Sequence, residues 1–230
     1  MFYDYTVVGM GHDGNPETLL RRAVAKPLDR WREVYESFSP VDLRTGERRP
    51  RVPEPGTDCR RAAVLVPIVL APGEARIVYT LRTGELRDHA GQVSFPGGSP
   101  EPQDRSLLAT ALREAEEEVD LEPDLVEVIG ELEDMYIPPS QFLVRPFVGI
   151  LREEAELDLA PEEVEAIFSV SLEELMSPQA FKKVVWKREG RPHEVPIFAV
   201  GGHEIWGATA AMTAGLLARL GWEPGSTTEG

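Results

Sequence analysis

Two short apolar runs in the first half of the chain have the pattern of buried strands. Residues 62–70 (AAVLVPIVL) are continuously aliphatic, and the turn APGE leads from them into residues 76–82 (RIVYTLR). Runs of this length that are rich in β-branched residues and bounded by a turn are typical of strands. The pattern therefore predicts two strands with a tight connection. Similar runs predict further strands at residues 126–132, 144–150, 182–187 and 195–200.

The N-terminal part of the chain has a different pattern. Residues 15–38 carry apolar side chains three and four positions apart, with a break at Pro27, which predicts an amphipathic helical extension. Its apolar face could cover its own domain or a neighbour. Residues 39–58 are rich in Pro, Arg and Gly and predict a linker or a wrapped loop. Other helices are predicted at residues 104–119, 161–168 and 204–220.

The predicted elements follow one another in a mixed order, and strands outnumber long helices. This order favours an α+β or α/β layered sandwich over a strictly alternating Rossmann pattern. We therefore expect a helical extension with its linker at 1–58, one main domain at 59–222 and a frayed polar tail at 223–230.

The net charge of the chain limits the classes of partner that it can bind. The chain has 24 Lys and Arg against 40 Asp and Glu, a net charge of −16. Such a surface repels nucleic acids and anionic membranes. No apolar run approaches the roughly 20 residues of a membrane span, and the start (MFYDYTVVGMGHDG) lacks the pattern of a signal peptide, so we expect a cytoplasmic protein. The single cysteine, Cys59, excludes an intrachain disulfide and a multi-cysteine zinc site.

Acidic residues gather on one predicted helix after a glycine turn. Pro96-Gly97-Gly98 allows a close approach of the backbone to a ligand, and Asp104 is the expected N-cap of the next helix. At about 100° per residue, the apolar side chains of this helix share one face, Glu118 falls inside that face, and Glu114 and Glu117 lie at its edge. Clustered carboxylates of this kind suit Mg²⁺ or Mn²⁺. A solvated acidic helix, with Arg113 as an ordinary ion-pair partner of Glu117, is the alternative.

These residues match a known motif. Gly98, Arg113-Glu114-Ala115-Glu116-Glu117-Glu118 and Leu121 resemble the Nudix box, with Asp120 where the box has Gly and with Asp104 one position further from Arg113 than the general box has its acid. The resemblance implies an α/β/α sandwich with a mixed sheet between helices. It also implies that Glu114, Glu117 and Glu118 bind Mg²⁺ or Mn²⁺ and that Arg113 orients Glu117.

The segment before the box sharpens the resemblance. Residues 79–98 (YTLRTGELRDHAGQVSFPGG) look like the corresponding segment of the coenzyme A pyrophosphatase branch, although Thr83 replaces the usual Ser. The resemblance implies hydrolysis of coenzyme A or acyl-coenzyme A to adenosine 3′,5′-bisphosphate and (acyl-)4′-phosphopantetheine. The implied substrate-binding residues are Arg82, Arg87, Phe95, Gly97 and Gly98. Arginine suits this role because it binds phosphate oxygens through two donors at once.

Three alternatives remain open. The protein could be a Nudix enzyme for another dinucleotide such as ADP-ribose or NADH, since that reaction uses the same helix. It could be a non-catalytic Nudix-like ligand sensor, which would be expected to have lost a box carboxylate, or an acidic interaction protein without a metal site. The general base is also open, because a box glutamate or Glu163 could serve, whereas His89 is interpreted as a loop residue. The oligomeric state is open between monomer and homodimer.

Overall fold

A mixed β-sheet between helices forms the centre of the computed structural model. The structure describes residues 15–83, 91–151, 157–158, 160, 164–188 and 190–225. The helices are α1 (Pro16–Val24), α2 (Trp31–Ser37), α3 (Leu107–Val119), α4 (Leu172–Met176) and α5 (Gly207–Arg219), with a 3₁₀ turn at Pro123–Leu125. The strands are β1 (Val41–Asp42), β2 (Arg60–Ala71), β3 (Glu74–Arg82), β4 (Val93–Ser94), β5 (Gly97–Gly98), β6 (Val126–Glu131), β7 (Met135–Ile137), β8 (Phe142–Leu151), β9 (Val164–Ser171), β10 (Phe181–Arg188), β11 (Arg191–Val200) and β12 (His203–Trp206).

Strand β2 is the axis of the larger sheet. It pairs in parallel with β8, from Arg60 opposite Phe142 to Val69 opposite Leu151. On its other side it pairs antiparallel with β3 and with the short β5, and β9 extends the sheet beyond β3. Among the described residues, a second sheet has the order β1-β11-β10, with β12 also paired to β11. Parallel and antiparallel pairs therefore coexist, and the expected mixed sheet is confirmed.

The two faces of the larger sheet bury different helices. Because neighbouring side chains on a strand point to opposite faces, Leu65 and Val78 pack with α3, whereas Val66 and Tyr79 pack with α5 on the other side. The result is a layered α+β sandwich with helices on both faces. No helix within the described ranges is long and apolar enough to cross a membrane.

The N-terminal extension packs against its own domain. Leu20, Tyr35 and Phe38 are fully buried in the same core as α5. Tyr35 approaches α5 at Gly215, where a Cβ atom would lie 2.7 Å from the Tyr35 ring. The Tyr35 hydroxyl also donates to the Glu133 carbonyl at 3.0 Å. Residues 39–58 then wrap over the surface, and β1 within them pairs with β11.

The helix predicted at residues 161–168 is contradicted at residues 164–168, the part that the structure describes. These residues belong to β9, which pairs with β3 so that Phe168 lies opposite Tyr79. The spacing of Val164, Ile167 and Phe168 is compatible with a helix, but pairing with a distant strand decides the conformation. The prediction for 204–220 is wrong at its start, because His203–Trp206 is strand β12 and the helix begins at Gly207.

Candidate active site

The N-cap of helix α3 lies two residues later than predicted. Ser106, in extended conformation, caps the helix by accepting a hydrogen bond from the Ala109 N–H at 3.1 Å. At the other end Asp120 adopts the left-handed conformation (φ 53°, ψ 34°), and its N–H donates to the Glu116 carbonyl. The helix therefore ends with the left-handed cap usual for Gly at this position, made here by Asp.

Asp104 is a partner of Arg113 instead of a cap. Its carboxylate accepts from the Arg113 guanidinium at 3.1 Å and from the Thr110 hydroxyl at 2.9 Å, and the Glu101 N–H also donates to it. These donors, with Arg113 the most important, lower the pKa of Asp104 to about 2. Asp104 therefore stays charged at neutral pH and fixes the arginine.

Arg113 connects the glycine turn with the helix glutamates. Its remaining donors reach Glu117 at 2.7 Å, Glu114 at 3.0 Å and the Ser99 carbonyl at 3.1 Å. The contact with Glu117 has the geometry expected for a side chain that orients it from one turn away, and the contact with Glu114 was not predicted. Because Arg113 is held from the other side by Asp104, both glutamates are held in fixed positions.

Glu118 lies on the buried face of α3, as the helical arithmetic predicts. The residue is 3% exposed, and its carboxylate lies 3.4 Å from the Arg82 guanidinium at the end of β3. Glu114 is partly buried, whereas 57% of the Glu117 side chain is exposed. The arginines thus offset much of the repulsion expected among these carboxylates.

The two glycines of the turn allow two different close approaches. A Cβ atom at Gly97 would overlap the backbone of Ala63 and Val64 on β2. A Cβ atom at Gly98 would instead overlap the Glu114 carboxylate. Gly97 therefore lets the turn pair with β2, and Gly98 leaves the space that Glu114 occupies.

A cavity of about 470 Å³ opens beside this turn. Arg82, Phe95, Gly97 and Gly98, all predicted to bind substrate, line it. The ring of Phe95 also stacks on Tyr79 at 5.1 Å and is nearly buried, so it shapes the wall more than it offers contact area. Arg87, His89 and Glu163 lie outside the described residues.

Part of the cavity wall was missed from the sequence. Arg49 and Arg51 from the wrapped segment line it, as do Arg188 at the end of β10 and Thr209 at the start of α5. The stretch RTGERRPR (44–51) is strongly basic within an acidic chain, and this local excess of charge is the signal that could have identified it. Lys182 and Lys183, two basic residues of β10, are not among the lining residues.

Comparison with known proteins identifies the family of the chain. The family model described as NUDIX domain matches residues 60–193, which is more than half of the chain. The chain belongs to the Nudix family. Nudix relatives include a protein described as uncharacterized Nudix hydrolase NudL from Photorhabdus laumondii, 42% identical over 66% of this chain and 81% of its own. A protein of the same description from Cronobacter sakazakii is 38% identical over 76% and 91%.

Solved structures of Nudix proteins are also similar. The MutT protein from Methanosarcina mazei has 18% identity and a TM-score of 0.47, covering 73% of this chain and 96% of its own. A NUDIX hydrolase from Alicyclobacillus acidocaldarius has 21% identity and a TM-score of 0.45, covering 53% and 82%. Family membership, established by the domain match and the relatives, makes this protein a Nudix pyrophosphohydrolase that acts on small molecules.

Nudix hydrolases generally use divalent cations such as Mg²⁺ or Mn²⁺, and the residues present fit such an ion. No group of three His, Cys, Asp or Glu side chains suited to a metal is formed within the described residues. Mg²⁺, however, usually takes one or two protein carboxylates and completes its shell with water and phosphate oxygens. Glu114 and Glu118 lie one helical turn apart with half-buried or buried carboxylates, and a side chain at Gly98 would fill the space beside Glu114.

Proposed function

We propose that this Nudix hydrolase cleaves the pyrophosphate of coenzyme A or acyl-coenzyme A. The products would be adenosine 3′,5′-bisphosphate and 4′-phosphopantetheine or its acyl form. One observation carries the proposal: Arg82, Phe95, Gly97 and Gly98, the described part of the substrate-binding set implied by the upstream segment, line one cavity. Gly98 joins that cavity to Glu114.

The charge of the cavity supports a substrate with several phosphates. The chain has a net charge of −16, yet Arg49, Arg51, Arg82 and Arg188 all line this cavity. Local positive charge in an acidic protein attracts and orients an anion. Coenzyme A carries a pyrophosphate and a 3′-phosphate, and therefore has more anionic groups to match than ADP-ribose or NADH.

Each side chain of the candidate site has a different role in the proposed reaction. Glu114 and Glu118, with Glu117 beside them, would hold the divalent ion, which supplies a polarised water and neutralises charge on the phosphate oxygens. Arg113, fixed by Asp104, orients Glu114 and Glu117. Arg82 contacts Glu118 and lines the cavity, so it can bind a phosphate group of the substrate. We assign proton removal from water to a box glutamate or to Glu163.

A substrate panel with resolved products tests the proposal. Coenzyme A, NADH, ADP-ribose and diadenosine polyphosphates are incubated with the full chain and Mg²⁺ or Mn²⁺, and kcat/KM is measured for each. We expect coenzyme A to have the highest kcat/KM and to give adenosine 3′,5′-bisphosphate. A higher value for ADP-ribose or NADH would favour the generic dinucleotide enzyme, and no turnover of any of them would favour the ligand sensor.

A further inference from the structure

Arg51 is a buried cation whose described hydrogen-bond partners are neutral. The residue is 5% exposed, and its guanidinium donates to the Ser39 hydroxyl at 2.8 Å and to the Phe38 carbonyl at 3.1 Å. Within the described ranges, no carboxylate lies within 4.0 Å of it. Its backbone carbonyl accepts from the Tyr136 N–H at 3.0 Å, which ties this segment to β7.

The surroundings of Arg51 disfavour its charge. Burial, and to a smaller extent the nearby positive charge of Arg49, lowers the pKa of Arg51 to about 10. Arg51 is nevertheless protonated at neutral pH. A buried charge is costly unless an opposite charge compensates it, and two neighbouring guanidinium groups add mutual repulsion. Both residues line the cavity, so an anion bound within it would offset the buried charge of Arg51 and the repulsion between the two guanidinium groups.

A purely structural role leaves part of this arrangement unexplained. The contacts with Phe38 and Ser39 join the wrapped segment to the end of α2, and a neutral donor such as Gln suits those acceptors without a buried charge. Arg49 is exposed on the same segment and repels Arg51, which a structural anchor does not need. An anionic ligand accounts for both features.

We infer that Arg51, together with Arg49, forms a subsite for a phosphate monoester of the substrate, which is the 3′-phosphate when coenzyme A is bound. The identity of that phosphate rests on the proposed function, whereas the subsite itself rests on the two arginines and the cavity. The wrapped N-terminal segment thus determines specificity and does not merely cover the domain. Neither arginine is a catalytic residue, because their role is to bind a phosphate that does not react.

Product binding without turnover tests the subsite. The affinities of adenosine 3′,5′-bisphosphate and of AMP for the full chain are measured by calorimetry in the presence of a chelator. We expect the parent to bind the bisphosphate more tightly and Arg51→Gln to weaken bisphosphate binding at least tenfold, with AMP binding changed less than threefold, because a hydrogen bond to a charged group has about this effect. Arg48→Gln is the matched control, since Arg48 is exposed on the same segment and does not line the cavity.

A second variant keeps the test decisive if Arg51→Gln does not fold. Arg49→Gln changes an exposed side chain, and we expect it to weaken bisphosphate binding several-fold with AMP binding unchanged. The subsite is wrong if folded Arg51→Gln binds the bisphosphate as tightly as the parent. When Arg51→Gln cannot be purified, parent-like bisphosphate binding by Arg49→Gln has the same meaning. Either result refutes the subsite even if coenzyme A is the best substrate. If ADP-ribose is cleaved in preference to coenzyme A while Arg51→Gln still loses bisphosphate binding, the proposed function is wrong and the subsite stands.

Discussion

Two walls of the same cavity are built in different ways. The first wall is the glycine turn that lines the cavity, together with α3, which packs behind that turn. Turn and helix come from one continuous stretch, and helical spacing places Glu114 and Glu118 one turn apart. The second wall is the positively charged wrapped segment that carries Arg51. Arg51 lines the cavity because its segment is hydrogen-bonded to β7 and to the end of α2. The groups that we propose to act in the reaction are therefore encoded locally, whereas we assign substrate selectivity to long-range packing.

The largest effect is expected at the buried glutamate of the first wall. Glu118→Gln removes a carboxylate charge beside Arg82 while keeping the shape of the side chain, so we expect kcat to fall more than about 100-fold with the fold intact. Glu117→Gln should also remove most turnover. Glu116→Gln is the control, because Glu116 is exposed on the same helix. Near-normal kcat in both Glu117→Gln and Glu118→Gln would refute the metal assignment.

Arg82 joins the two walls, and its loss should be intermediate. Arg82→Ala should lower kcat/KM for coenzyme A about ten- to hundredfold, mainly through KM, because a charge-assisted contact to phosphate is removed. Arg76→Ala is the matched control on the same strand, since Arg76 bonds Ser169 and Glu74 and does not line the cavity. Equal kcat/KM values for the two variants would show that Arg82 does not contact the substrate. We expect Arg87→Ala to resemble Arg82→Ala.

Alanine substitutions at Gly97 and Gly98 should affect stability and activity differently. Gly97→Ala places a methyl group against the backbone of β2, and we expect it to lower the free energy of unfolding by about 1–3 kcal/mol. Gly98→Ala displaces the end of the Glu114 side chain and no backbone, so it should lower kcat with a smaller loss of stability. Denaturant unfolding and steady-state kinetics on both variants check this, and the reverse pattern would contradict the assigned roles.

The smallest effect concerns acid stability. The pKa of Asp104 is lowered to about 2 by Arg113 and its other donors, so its contribution to stability is present above the unfolded pKa near 4 and is lost as the pH falls towards 2. Asp104→Asn should therefore be less stable than the parent at pH 6, and the difference should shrink below pH 4. Chemical unfolding across this range measures it. A difference that is constant with pH would show that the Asp104 charge is not involved.

Local patterns account for most of what the sequence predicted. The positions of Leu107, Ala111, Ala115 and Val119 placed the buried face of α3, and the structure confirms that Glu118 lies within it. The start of the helix was wrong because Ser106 and Asp104 are both good N-caps, and hydrogen bonds from Arg113, Thr110 and the Glu101 N–H engage Asp104 elsewhere. Patterns within one helix are thus predictable until a side chain finds a distant partner.

Long-range contacts account for what was missed. Strand β9 was predicted as a helix because its partner, β3, lies more than 80 residues away in the chain. The packing of the N-terminal extension on its own domain depends on Gly215, which leaves room for the Tyr35 ring. Nothing in the sequence around Gly215 indicates this contact. The basic stretch 44–51 does signal a cationic segment, but it does not show which cavity Arg51 lines, because that depends on contacts with distant strands.

The rates of hydrolysis of coenzyme A and dephospho-coenzyme A test directly whether the second wall binds the 3′-phosphate of the substrate. The two compounds share the pyrophosphate that α3 would act on and differ in the 3′-phosphate assigned to the second wall. With a contact worth about 1.5–3 kcal/mol, we predict that kcat/KM for coenzyme A is at least tenfold higher, and that both compounds are cleaved at the pyrophosphate. Equal kcat/KM values for the two compounds would contradict the account.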